Sequence, residues 1–161
     1  MSECMIKTCP MEGDGDVAMG AKILEGGPIA EQIKADLKQQ LAQTGGVPPK
    51  LVAVLVGGNP GARAYAKTQA KACEEIGVTY ELREFSEDLS EAEMLEAVAQ
   101  LNEDESVNGI IVLMPVPEQM NGRELQTAID PIKDVDGVHP ANLGSAVQGD
   151  RTQQSLLLQL Q

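Results

Sequence analysis

Tryptophan is absent, and Tyr65, Tyr80 and Phe85 make up the whole aromatic complement, 2% of the chain. Any core therefore rests on Val, Ile, Leu, Met and Ala. At 42% hydrophobic residues there are enough of these for a packed domain rather than a disordered tail. Histidine occurs once, at His139, and cysteine three times, at Cys4, Cys9 and Cys73, too few for a disulfide framework. Cys4 and Cys9 have the spacing of half a metal site, but no second pair follows and His139 is remote, so no metal is expected. Cys73 falls within a helical pattern and reads as a small buried hydrophobe. Basic residues are also scarce, 12 against 25 acidic ones, for a net charge of -13. Such a surface repels phosphate backbones and anionic lipid, which excludes nucleic acid and membrane as ready partners. No apolar run reaches the roughly 18 residues that a membrane-spanning helix needs. Residues 1–20 hold one lysine, no arginine and several acids, so neither a secretory nor an Arg-rich targeting segment is visible. A reduced, cytoplasmic compartment is the expectation.

What is present is a regular alternation of patterns. Residues 1–20 lack periodicity and read as a flexible leader. From Pro28, Ile29, Ile33, Leu37 and Leu41 recur at four-residue spacing, an amphipathic helix with proline in its first turn. The apolar run 51–56, bounded by Pro and Gly, reads as a strand buried on both faces. A turn at Gly57 to Gly61 leads into a helix over 62–76, stopped by Gly77. Residues 79–85 alternate as a second strand. Ser90 and Glu93 form a capping box that opens a third helix, with Met94, Leu95, Val98 and Leu101 on one face. Residues 109–114 give a third strand, stopped by Pro115 and Pro117, and a short helix follows over about 122–129. Strands alternating with helices predict an α/β fold, a three-layer sandwich with a mainly parallel sheet and helices on both faces.

Ligands in such sheets gather outside the carboxyl ends of the strands. The turn at Gly57-Gly58 lies there, but it lacks both Gly-x-Gly-x-x-Gly and a Gly-Lys-Ser/Thr ending, so it reads as a plain strand-to-helix turn. The segments 113–117 and 130–137 occupy comparable positions.

Several ordered motifs say more than any one segment. They are Ile-Leu-Glu-Gly at 23–26, Val-Gly-Gly-Asn-Pro-Gly-Ala with Tyr65 three residues on, and Lys-Ala-Cys-Glu-Glu-Ile-Gly at 71–77. Leu-Asn-Glu-Asp at 101–104, Val-Asn-Gly-Ile-Ile-Val-Leu-Met-Pro-Val-Pro at 107–117 and Lys-Asp-Val-Asp-Gly-Val-His-Pro at 133–140 complete the set. Together they closely resemble the methylenetetrahydrofolate dehydrogenase/cyclohydrolase family over 21–150, its folate-binding catalytic domain.

The resemblance implies oxidation of 5,10-methylenetetrahydrofolate to the methenyl compound with NADP or NAD, within one-carbon metabolism and purine biosynthesis. It implies tetrahydrofolate derivatives as partners and leaves a homodimer open. By the same resemblance Tyr65 packs on the folate rings, and position 69, one helical turn on, is the family's catalytic lysine position. Val112, Leu113 and Met114 match the substrate-binding strand end, and Asp136 matches the carboxylate that anchors the pterin edge by accepting two N–H bonds. Each has a plainer reading: an exposed tyrosine, a strand end, a turn aspartate before Gly137. Asp134 reads as structural, Lys67 and Lys71 as solvated lysines, and His139 as an ordinary hydrogen-bonding residue in a loop.

Two departures matter. Position 69 is Gln69, which cannot act as acid, base or cation, and the family's partnering glutamine is Leu113, so the cyclohydrolase step is in doubt. The family's serine near Ala62 is missing too. Beyond Asp150 the family continues into a Rossmann domain, whereas 151–161 is a Gln/Leu-rich tail that does not match. This predicts a chain without its own nucleotide-binding domain. A second class remains open: a catalytically inactive folate-binding or oligomerisation module.

Overall fold

The computed structural model describes residues 25–149. The leader, Cys4, Cys9, Ile23, Leu24 and the tail 151–161 lie outside the described residues. Eight elements follow in order: α1 (Gly26–Thr44), β1 (Lys50–Val56), α2 (Pro60–Ile76), β2 (Thr79–Phe85), α3 (Glu91–Glu103), β3 (Gly109–Val112), α4 (Gly122–Thr127) and α5 (Pro140–Gln148). The three strands form one parallel sheet in the order β2-β1-β3. Leu51 stands opposite Tyr80 on one side and Gly109 on the other, and Val54 opposite Arg83 and Val112.

The continuous apolar run explains why β1 is central. Leu51 to Val56 are all buried, and alternation sends their side chains to two separate cores. Val52, Val54 and Val56 pack with Met94, Val98, Leu101, Leu125 and Ile129 beneath α3 and α4. Leu51, Ala53 and Leu55 pack with Ala62, Ala66, Cys73, Ile111 and Leu113 beneath α2. The helices thus cover both faces, as the alternation predicts. On the α2 side the helix offers small residues to the sheet, Ala62, Ala66 and Cys73, so its backbone can lie close to β1 and β2. Each fully buried Leu or Val is worth about 1.5–3 kcal/mol against exposure, so the sheet is held from both sides.

Helix ends are fixed locally. Asn59 Oδ1 accepts from Ala62 N at 3.0 Å to start α2, and Gly77, at φ 88°, ends it by donating to Cys73 O. Ser90 and Glu93 form the predicted capping box of α3. No described helix is long and apolar enough to cross a membrane.

Four expectations need correction. Helix α1 begins at Gly26 rather than Pro28, and its apolar stripe is covered only toward its end: Ile29 is 62% and Ile33 45% exposed, while Leu41 packs against the α2-side core. Among the described residues it is tied across to α2 by Lys34, whose ammonium pairs with Glu31 and Glu75. Strand β3 stops at Val112, two residues early. Leu113 still donates to Val54 O at 2.9 Å, but Pro115 has no N–H with which to continue the ladder. Helix α4 stops at Thr127 because the N–H of Asp130 is taken by Asn102 Oδ1 at 2.9 Å, which pulls the chain out of helical pairing. Helix α5 occupies what reads as a loop. Its signals are Pro140 at the first turn, Leu143 and Val147 four apart, and Gly149 at φ 74° beyond its end.

Candidate functional site

Helix α2 starts at the carboxyl end of β1, so its first turns stand over that end of the sheet. Tyr65 lies in the second turn and is 56% exposed. One turn on, Gln69 is half-buried on the same side of the helix. Its Oε1 accepts a hydrogen bond from the Tyr80 hydroxyl at 3.2 Å. Burial pushes the Tyr80 phenol up to about 12, with Cys73 and Tyr65 adding to the effect. Gln69 and Tyr80 are therefore joined above the α2-side core, with Tyr65 near enough to act on the Tyr80 phenol. Lys67 and Lys71 on the same helix are exposed.

The strand-end residues separate by face. Val112 is buried among the α3-side core residues, so a ligand above α2 meets its backbone rather than its side chain. Leu113 is buried in the same cluster as Ala62 and Ala66, beneath the start of α2. Met114 is 47% exposed, and a cis peptide joins it to Pro115. Its thioether lies against Gly122, where a Cβ would collide with it. Leu113 follows β3 while Tyr80 sits on β2, with β1 between them. The Gln69 amide is thus bonded toward the opposite edge of the sheet from Leu113.

Asp136 lies in the loop between α4 and α5, which is pinned at several points. Lys133 Nζ donates to Leu101 O, Asn102 O and Asp104 O at 3.1, 2.7 and 2.8 Å, capping the negative end of α3. Ile110 N donates to Lys133 O at 2.8 Å, and Asp134 forms a parallel bridge with Ile110, extending the sheet past β3. Val135 packs into the α2-side cluster. Asp136 itself is open to solvent on one side, yet the protein mass beneath its carboxyl and then the neighbouring Asp134 raise its pKa. Gly137, at φ 65°, makes the left-handed turn that follows, a conformation glycine adopts without strain. His139 is the N-cap of α5, its Nδ1 accepting from Ala141 N at 3.1 Å. No hydrogen bond among the described residues links Asp136 to Tyr65 or Gln69.

Two residues of this arrangement escape a reading by motif. Tyr80 was recoverable from alternation in β2, which puts it on the same face as Leu82, toward α2. Asn142 lies on a helix that sequence reading takes for a loop.

The groove of about 480 Å³ at the carboxyl ends of β1 and β2 is lined by Gly57, Gly58, Arg63, Glu84, Phe85, Ser86 and Glu87. It does not fit a phosphorylated dinucleotide. Gly57 N donates to Phe85 O at 2.9 Å, Arg63 is paired with Glu84, and Glu87 adds a further negative charge. Neither this groove nor the one beneath α1, lined by Leu41, Val47, Pro49 and Ile76, includes Tyr65, Gln69 or Asp136. Tyr65 and Asp136 are exposed, and Gln69 is half-buried beneath its bond from Tyr80.

The profile of the tetrahydrofolate dehydrogenase/cyclohydrolase catalytic domain matches residues 24–136, a span containing Tyr65, Gln69, Leu113 and Asp136. The bifunctional protein FolD of Anoxybacillus flavithermus is 42% identical over 135 residues, covering 83% of this chain and 48% of the relative. The crystal structure of the Campylobacter jejuni bifunctional FolD, a methylenetetrahydrofolate dehydrogenase/cyclohydrolase, superposes with a TM-score of 0.76 at 35% identity, covering 79% of this chain and 46% of the other. The Trypanosoma brucei enzyme, solved with NADP cofactor and inhibitor, superposes with a TM-score of 0.72 at 25% identity, covering 78% and 43%. The chain spans about half the length of the curated relatives it matches. With this match over most of its length, the chain belongs to the tetrahydrofolate dehydrogenase/cyclohydrolase family, by way of that family's catalytic domain.

Proposed function

We propose that residues 21–150 form the folate-binding wall of a 5,10-methylenetetrahydrofolate dehydrogenase whose cyclohydrolase step has been lost. The observation that carries the reading is the family match over 24–136. By resemblance, Tyr65 and Asp136 are groups suited to a pterin, while Gln69 is not suited to proton handling. The Tyr65 ring is free to stack on an aromatic ligand, and the Asp136 carboxylate can accept a pair of N–H bonds from an aminopyrimidinone edge. The backbone at Val112, Leu113 and Met114 would border the ring, with the Met114 side chain supplying an adaptable apolar contact.

Gln69 defines what the site does poorly. Hydration of a methenyl carbon needs a group that handles a proton and steadies developing charge, and a neutral amide bonded to Tyr80 does neither. Hydride removal makes no such demand on this wall. NADP or NAD supplies the hydride acceptor in the family reaction. The Gly57 groove does not fit a dinucleotide, so in this reading the cofactor is presented by residues other than those lining it.

A cytoplasmic location, tetrahydrofolate derivatives as partners and a role in purine biosynthesis belong to the same reading, as does a homodimer. The poor fit of the Gly57 groove to a dinucleotide favours one alternative, a folate-binding module that does not turn over alone. Calorimetric titration of the 161-residue chain with tetrahydrofolate and, separately, with NADP tests the proposal. Saturable binding of tetrahydrofolate without NADP binding is the expected result, and a chain that binds NADP but no folate overturns it.

A further inference from the structure

Asp134 is fully buried, and its Oδ2 accepts two hydrogen bonds, from the backbone N–H of His139 at 2.8 Å and from Asn142 Nδ2 at 2.9 Å. Asn142 Nδ2 also donates to Pro131 O at 2.9 Å. These bonds close the chain from Asp134 to His139 into a ring, and Asp136 lies within it. One side of the ring is fastened to the sheet by the bridge to Ile110, the other to the start of α5.

The arrangement is expensive. Asp134 Oδ1 and Asn142 Oδ1 are both buried without a hydrogen-bond partner in the protein. A buried carboxylate satisfied on one oxygen alone destabilises a fold relative to a neutral packing solution. Stability is being given up for geometry, and of the two ring side chains with binding chemistry His139 already caps α5, while Asp136 is exposed.

We propose that Asp134 is a positioning residue for folate binding: by holding His139 and Asn142 with one carboxylate oxygen, it fixes the turn that presents Asp136. This rests on the reading that Asp136 anchors the pterin. Asp134 touches no ligand. It sets where a neighbouring carboxylate stands, and a two-bond contact with a planar edge tolerates little misplacement.

The test measures the Kd of tetrahydrofolate for the full chain, below the melting temperature of every variant, with Tm recorded alongside. Asp134→Ala should weaken binding about tenfold, approaching Asp136→Asn, while Asp134→Asn, which keeps an acceptor for His139 and Asn142, should restore it to within about twofold. A purely structural role predicts a lower Tm with Kd unchanged in Asp134→Ala, and that result overturns the proposal. If Asp134→Ala does not fold, Asn142→Ala decides: weakened binding supports the proposal, and wild-type binding overturns it. Wild-type affinity in Asp136→Asn would instead overturn the underlying assignment of Asp136.

Discussion

The Tyr80 hydroxyl donates to Gln69 Oε1 at 3.2 Å, joining β2 to the helix that carries Tyr65. The side chain at position 69 is therefore turned toward the outer strand β2, away from the β3 end where Leu113 is buried beneath α2. Position 69 thus carries a neutral amide whose hydrogen-bond partner is Tyr80.

That relationship has a titration signature. The Tyr80 phenol is raised from 10.0 to about 12, chiefly by burial. A raised folded-state value means its contribution to stability is fully present below pH about 10 and is lost as pH rises through about 12. Ultraviolet titration should show a tyrosine ionising near 12 in the wild type, and this component should vanish in Tyr80→Phe. Persistence of that component in the variant would contradict the assignment.

Asp136 should couple pH to binding and stability in opposite senses. Its carboxyl is raised above 3.8 by burial and then by Asp134. Binding through the carboxylate should fall as pH drops through that raised value, and the midpoint should disappear in Asp136→Asn. For folding the sign reverses. The stabilising contribution is present below the ordinary value of 3.8 and is lost as pH rises through the raised one. Asp136→Asn should therefore melt at a higher temperature than wild type at neutral pH but not in acid. Thermal melts at the two pH values check this, and a lower Tm for the variant at neutral pH contradicts it.

Core substitutions should separate packing from site. Leu55 is fully buried in the central strand, and Leu55→Ala should cost about 2–5 kcal/mol in urea unfolding. Gly122→Ala meets the flexible end of Met114 and a Val116 methyl, and should cost about 1–3 kcal/mol while displacing the Met114 side chain. A larger loss at Gly122 than at Leu55 would mean that the Met114 contact is rigid.

The sheet was legible because two apolar runs and one alternating run each carry an unambiguous period, and because Gly77 and the Ser90–Glu93 box mark helix ends chemically. Helix α5 was not, because Lys-Asp-Val-Asp-Gly-Val-His-Pro reads as loop up to Pro140 and the nine residues of the helix, Pro140–Gln148, bury only Asn142. The stripe on α1 has helical period, but period does not say whether anything covers it. At the site, Tyr65, Gln69, Leu113 and Asp136 could be named by motif. The Tyr80 bond and the Asp134–Asn142 clamp could not, since both depend on strand order and on a bridge between Ile110 and Asp134, far apart in sequence.

The central claim is that this wall retains dehydrogenation and has lost hydration, and a ratio of rates tests it most directly. Joined after Gly149 to the nucleotide-binding half of a relative, the chain should oxidise methylenetetrahydrofolate with NADP while hydrating methenyltetrahydrofolate at least about 100-fold more slowly, as befits loss of a general acid–base group. Gln69→Lys together with Leu113→Gln should raise hydration with little change in oxidation, bringing the two rates together. If the unsubstituted fusion already hydrates methenyltetrahydrofolate as fast as it reduces NADP, Gln69 does not define the site and the account is wrong.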